Sequence, residues 1–364
     1  MTVTRRTFLS LAGSTALGVK ARALPFAVSA PRFAYVAAKG NAGGLYVFAT
    51  RHPEWRSLEF VPAEQPVALA IHPDGRTLYA IHEVGIFRML PRGYVSAYRI
   101  NQQSGTLKLM EVQPFSLSAT FPGHLAISPR GRYLIASAQG GGAYNLFPIA
   151  EDGSIGHVCS IRKEVGCDPC SESQGLARPQ AVLFTRRGDC VLTVDQGNDS
   201  VSILDGGLSL RARAALPRGT GAQFLAIHHA SQIGFISGSH SRTLLTFRYD
   251  AAAATITQPV TWVEDSVSGP LALHPECRTL YVPTIGGIAV FDFQESGNIR
   301  RIQHLDINDG VLEPQSLQFD PSFDALFMSS SKGVFRIATN GVSGRLATPE
   351  LVSSVPHAQS VVFI

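Results

Sequence analysis

Charge, sulfur and long apolar stretches are all scarce in this sequence. Only 16% of its 364 residues are charged, and the formal net charge is +4. The basic residues are scattered, with no Lys/Arg block or stripe, so nucleic acid is not an expected partner. No stretch of the mature chain is apolar for the length a bilayer span needs, so no integral membrane segment is expected there. No segment holds a helical period, which argues against helical and mixed classes. Serine nucleophile elbows, phosphate-cradling glycine loops and His-Glu-x-x-His helices are also missing. Those absences remove three common hydrolase and nucleotide-binding chemistries, and no cofactor or metal is expected.

What the sequence has is a repeat. The stretch Pro66 to Tyr79, PVALAIHPDGRTLY, reads as an apolar strand, a Pro/Asp/Gly turn and a second apolar strand. Related copies begin at Pro122, Pro179, Ala222, Ser268, Pro314 and Ala358, at intervals of 43 to 57 residues. Third strands follow at Val95, Tyr144, Val201, Leu244, Ile288 and Val334, and glycine turns such as those at Gly105, Gly153 and Gly297 precede the fourth. Four strands per repeat at this spacing predict an all-β, seven-bladed β-propeller over residues 31–364. Arg32 to Gly40 and Gly44 to Thr50 form two strands with no inner strand ahead of them. The last copy, Ala358 to Ile364, is expected to supply it and close the ring.

Residues 1–30 read as an address rather than a part of the fold. Arg5-Arg6-Thr-Phe-Leu9 followed by a short apolar run to Val19 fits a twin-arginine export segment, which predicts a periplasmic or secreted protein. In that setting the pair Cys167-Asp-Pro-Cys170 is expected to form a loop disulfide. A redox pair would normally open a helix, and zinc would require a second cysteine pair. Cys190 and Cys277 fall inside strand hairpins and read as packing residues, and Cys159 is left over.

Two of the intervals are about ten residues longer than the others. The additions, Glu83–Gly93 and Glu164–Arg178, are expected on one face of the ring, where loops on a rigid frame build binding sites. Equivalent positions of four inner strands carry Gln180, Gln223, Gln315 and Gln359, and Gln139 ends a second strand nearby. These amides suggest part of a ring at the channel mouth, suited to a neutral polar ligand because amides do not titrate near neutral pH. The alternative is that each amide satisfies a strand-end backbone group. Asp195 and Asp199 read as turn-forming residues in preference to a calcium site.

These repeats resemble the lactonase family of seven-bladed propellers, which includes 6-phosphogluconolactonases and carboxymuconate cyclase. The phrases that carry the likeness are His72 to Glu83, Pro122 to Arg132, Gly140-Gly-Gly142 and Asp195-Gln-Gly-Asn-Asp199. The resemblance implies a polar channel mouth with His, Arg and Glu as the catalytic set. Glu83 falls on the acidic position, with His82 in place of an asparagine, and His124 falls on a Pro-x-His position. Arg178 and Gln180 stand where the family has two histidines, and Ala222-Gln-Phe224 replaces its Pro-Arg-His. The expected site is therefore Glu83 as base, His82 or His124 as proton relay, and Arg178 holding an anionic group, with Gln180, Gln223, Gln315 and Gln139 around the substrate. Two functions follow. One is an exported lactonase acting on a sugar lactone or related cyclic ester. The other is a binding or scaffold propeller that has kept the ring and lost the chemistry. A monomer is expected in either case.

Overall fold

The structure, a computed structural model, describes residues 32–364 except 52–53, 167–174, 263–266, 268, 275–276 and 308–312. The export segment and the Cys167–Cys170 pair lie outside the described residues. Seven antiparallel sheets form the ring, and no helix occurs among the described residues. The first blade takes its inner strand, Ala358–Phe363, from the far end of the chain and continues through Phe33–Ala38, Gly44–Ala49 and Arg56–Pro62. Blades two to seven start at the inner strands Pro66–Ile71, Thr120–Ile127, Pro179–Phe184, Ala222–His228, Ala272–Leu273 and Ser316–Phe319.

Burial explains the strand patterns. A second strand such as Phe33–Ala38 or Ala325–Ser330 is buried at every residue, because both of its faces pack against neighbouring blades. Such strands read as unbroken apolar runs. Fourth strands such as Leu210–Ala215 lie at the perimeter and alternate between exposed and half-buried. The core is accordingly divided. Seven hydrophobic clusters each fill one seam between adjacent blades, for example Phe33, Tyr35 and Leu45 against Leu69, Leu78 and Tyr98. In the fifth blade the fourth strand is split into Thr255–Ile256 and Val260–Trp262, both pairing with Leu244–Asp250. Pro259 lies between them, and a proline has no N–H to offer the ladder.

Three seams carry an added latch. Tyr35, Tyr79 and Tyr281 occupy the same position in their second strands. Each donates its hydroxyl to the carbonyl of a glycine turn in the next blade: Gly105 at 2.9 Å, Gly153 at 2.8 Å and Gly344 at 2.8 Å. Burial pushes all three phenols above their ordinary range, so they remain donors. Those turns need glycine for its left-handed backbone, with φ of +76°, +83° and +68°.

Candidate functional site

The ring builds its polar mouth by a repeated local distortion. At the start of the inner strands of blades one to five the ladder skips a residue: Gln359, Val67, Gly123, Gln180 (with Ala181) and Gln223. Such bulges bend the strand and re-aim a side chain, and they cluster beside functional sites. The bulge frees the Gln180 amide to reach the ends of neighbouring second strands. Its Nε2 donates to Gln139 Oε1 at 3.4 Å and to Gln196 Oε1 at 3.2 Å. Gln139 donates onward to Glu83 Oε1 at 3.1 Å, and Lys39 pairs with the other Glu83 oxygen. On the opposite side Gln196 donates to Ser239 Oγ at 2.9 Å, and Ser239 donates to the Gly221 carbonyl at 2.9 Å. One chain of hydrogen bonds therefore joins five blades and converges on the Glu83 carboxylate.

Beside this chain lies a cleft of about 580 Å³, lined by Glu83, Phe121, Gln139, the turn Gly140–Gly142, Lys163, Glu164, Leu176, Ala177 and Arg178. Both long loops reach it on one face, as their lengths imply. The first is pinned to the segment entering the third blade, with Phe121 N–H donating to Val84 O at 2.9 Å and Ser118 N–H to Pro91 O at 2.8 Å. The glycine turn is obligatory at its centre. Gly141 has φ +77°, and a Cβ there would lie 1.7 Å from the Ser118 carbonyl oxygen.

Among the described residues the charges in the cleft do not balance. Glu164 is buried between Arg162 Nε at 2.5 Å and Arg213 Nη2 at 2.6 Å. Burial alone would raise its carboxyl, but hydrogen bonds from the two guanidinium groups outweigh that and hold it below the ordinary range. Glu83 is matched by Lys39. Arg178 and Lys163 line the cleft, are exposed, and have no ion-pair partner among the described residues. Among the described residues the surplus is positive, which suits a ligand with negative or strongly polar oxygen.

The two aspartates of the Asp195–Asp199 phrase hold the frame. Asp195 accepts the backbone N–H groups of Arg178 (2.9 Å), Gly197 (3.0 Å) and Asn198 (2.9 Å). Asp199 accepts those of Gly219 (2.7 Å) and Gly221 (2.6 Å). Each fixes a loop leading into an inner strand. No cluster able to hold a metal ion occurs among the described residues.

Two expected members of the site stand elsewhere. His82 is 1% exposed and its ring is committed inside the second blade. Nδ1–H donates to Glu64 O at 2.7 Å, Nε2 bonds Ser96 Oγ at 2.7 Å, and the ring stacks on Tyr94 at 4.1 Å. Burial lowers its pKa to about 4. As the last residue of its strand it faces the opposite way from Glu83, so it does not reach the cleft. His124 lines the central channel, a separate cavity of about 630 Å³ bounded by residues of all seven blades. Its Nδ1 accepts the Val182 N–H at 3.4 Å, and burial lowers its pKa to about 4. Neither histidine is therefore placed to relay a proton to Glu83. The glutamine ring is partial. Gln180 and Gln139 belong to the chain at the mouth. Gln315 and Gln359 line the channel and bond the carbonyls two residues behind them, Glu313 at 3.4 Å and His357 at 3.1 Å. Gln223 is half-buried at its bulge and lines neither cavity. Lys39, Gln196 and Ser239 escape a reading of motifs because they share only a position, the first residue after a second strand, and differ in chemistry.

Known proteins share this architecture. The chain is 23% identical over 344 residues to 6-phosphogluconolactonase of Bacillus subtilis (strain 168), covering 90% of this chain and 96% of that protein. A putative 6-phosphogluconolactonase from Bacteroides fragilis superposes with a TM-score of 0.80 at 20% identity, covering 93% of this chain and 99% of that one. The periplasmic gluconolactonase PpgL of Pseudomonas aeruginosa gives a TM-score of 0.79 at 19% identity, covering 91% and 98%. The family profile described as "Lactonase, 7-bladed beta-propeller" matches residues 34–363, and the chain belongs to that family.

Proposed function

We propose that the mature chain is an exported lactonase that opens a cyclic ester in the cleft between Glu83 and Arg178. The observation that carries this reading is the convergence of that carboxylate and that guanidinium on one cavity, with the Gln139 amide bonded to the carboxylate. Glu83 accepts bonds from Lys39 and Gln139 and has lone pairs left for a water molecule. Attack of that water on the lactone carbonyl passes its proton to Glu83. Arg178, with Lys163 beside it, stabilises the oxyanion. Collapse of the tetrahedral intermediate breaks the ring C–O bond, and protonated Glu83 returns the proton to the departing alkoxide. The product is the open hydroxy acid.

Glu83→Gln keeps the shape and loses the base, so kcat on a lactone panel should fall by about 10²–10⁴ with KM little changed. Equal rates in the variant and the parent would reject Glu83 as the base. A second reading, a ring that binds without hydrolysing, is favoured by the lack of a histidine in the cleft lining. Turnover in neither protein would select it.

Export through the twin-arginine route rests on Arg5-Arg6 and the apolar run behind it. It is supported by the likeness to a protein described as periplasmic. Changing both arginines to lysine should leave the protein in the cytoplasmic fraction, and normal export of that variant would refute the route.

A further inference from the structure

Large apolar side chains stand exposed on the segments that lead to the cleft, two of them in its lining. Ile86, Met89, Leu117, Phe121, Val165 and Leu176 are 68, 93, 62, 46, 83 and 78% exposed. Single exposed apolar residues are ordinary, but a contiguous group beside a polar cleft marks a binding surface. The first loop and the glycine turn meet at the Phe121 ring. A Cβ at Gly85, next to Ile86, would lie 2.8 Å from the Phe121 ring, and one at Gly140 would lie 2.9 Å from that same ring. The Gly142 position abuts the Ala177 side chain, and that of Gly166 abuts the backbone of Gly175 and Leu176. Met89 and Leu117 flank the 2.8 Å bond between Pro91 O and Ser118 N–H.

The backbone is strained in the same place. Arg88, Met89, Ser118 and Phe121 have φ of +49°, +64°, +68° and +51°, a left-handed conformation costly for side chains of this size. Such strain gathers where a loop presents side chains to a ligand. Phe121 and Leu176 line the cleft itself, facing the Glu83 and Arg178 end.

We infer that the substrate is a lactone carrying an aliphatic or aromatic substituent, with its ester group between Glu83 and Arg178 and its apolar arm across the Phe121–Leu176 lip. This rests on the hydrolytic reading for its chemistry and deepens it by naming the substrate class. A polyhydroxylated ring would set hydroxyls against the apolar side chains of Phe121 and Leu176. An alkyl arm gains there, by roughly twofold per methylene if about half of its surface is covered.

The test compares δ-decalactone, δ-valerolactone and glucono-δ-lactone in the parent, Phe121→Ser and Leu176→Ser proteins. In the parent, kcat/KM for δ-decalactone should exceed that for δ-valerolactone by about 10- to 30-fold, and should also exceed that for glucono-δ-lactone. In each variant the first ratio should fall to about threefold or less, and the ratio cancels any loss of folded protein. A parent ratio near one, a preference for glucono-δ-lactone, or ratios untouched by both substitutions would overturn the inference. Calorimetric binding of piperidin-2-one and its 6-pentyl derivative, which resist hydrolysis, separates it from the hydrolytic reading. Tighter binding of the pentyl lactam without turnover of any lactone would sink hydrolysis and retain the apolar arm. Equal binding would sink the apolar arm even if lactones are hydrolysed.

Discussion

A chain ending at His357 is expected to be unfolded at room temperature. The deleted residues are the inner strand of the first blade, and they pair with Ala34 to Ala38 along their whole length. Ile364 O accepts the N–H groups of Arg32 and Phe33 at 2.7 and 3.0 Å, and Ser360 Oγ accepts from Leu69 N–H in the second blade at 3.3 Å. Phe363 packs on Phe327 at 4.6 Å and on Trp55 at 5.9 Å. Burial of Val361 and partial burial of Val362, Phe363 and Ile364 are together worth roughly 5 kcal/mol. Removing the strand would also strand the backbone groups of fully buried Tyr35 and Val36, at about 1–3 kcal/mol each. The total rivals the entire stability of an ordinary domain, about 5–15 kcal/mol. Circular dichroism and size exclusion decide the matter, and a cooperative melt near that of the full chain would refute the closure. Val361→Ala, which keeps the strand, should melt cooperatively at a lower temperature.

Acid should weaken the protein well before its carboxylates titrate. His82 and His124 are held neutral by burial, with pKa lowered from 6.5 to about 4. Between those values the unfolded chain binds protons that the folded chain refuses. Stability from these groups is therefore complete above pH 6.5 and is lost as the pH falls towards 4. His82 accounts for about 2 kcal/mol by pH 5 and about 3 kcal/mol by pH 4. His124, half-buried in the channel, contributes less. His228 and His229 are lowered in the same direction by burial and nearby positive charge. Unfolding free energies from urea titrations at pH 7 and pH 5 should differ by about 3–4 kcal/mol, seen as a lower midpoint at pH 5. His82→Gln, which can still donate to Glu64 O and accept from Ser96, should reduce that difference by about half. Equal midpoints at the two pH values would contradict the assignment.

The blades were legible because each second strand is buried on both faces and so leaves an apolar run that repeats. Closure was legible for a simpler reason: Arg32 to Gly40 opens a blade that lacks its inner strand. The face shared by Glu83 and Arg178 could be read from loop lengths alone. Side-chain direction could not. In a strand one residue of offset exchanges the two faces, and a bulge shifts that count without any mark in the residue types. His82 thus turns inward while Glu83, its neighbour, reaches the cleft. His124 likewise lines the channel one residue beyond its bulge. The polar chain was invisible for the opposite reason. Lys39, Gln196 and Ser239 have no shared chemistry and are related only by their place after a second strand, which emerges once the register is known.

The tyrosine latches bear on how the ring is made. Their donors and acceptors are 70, 74 and 63 residues apart, and in each pair the tyrosine comes first. At about 5–20 residues per second of synthesis, a newly made tyrosine waits roughly 3–15 seconds for its glycine turn to be translated. Over that interval the neighbouring blade that will cover the tyrosine is itself still being made. The delay is built into the order of the repeats, and no substitution that preserves that order would shorten it.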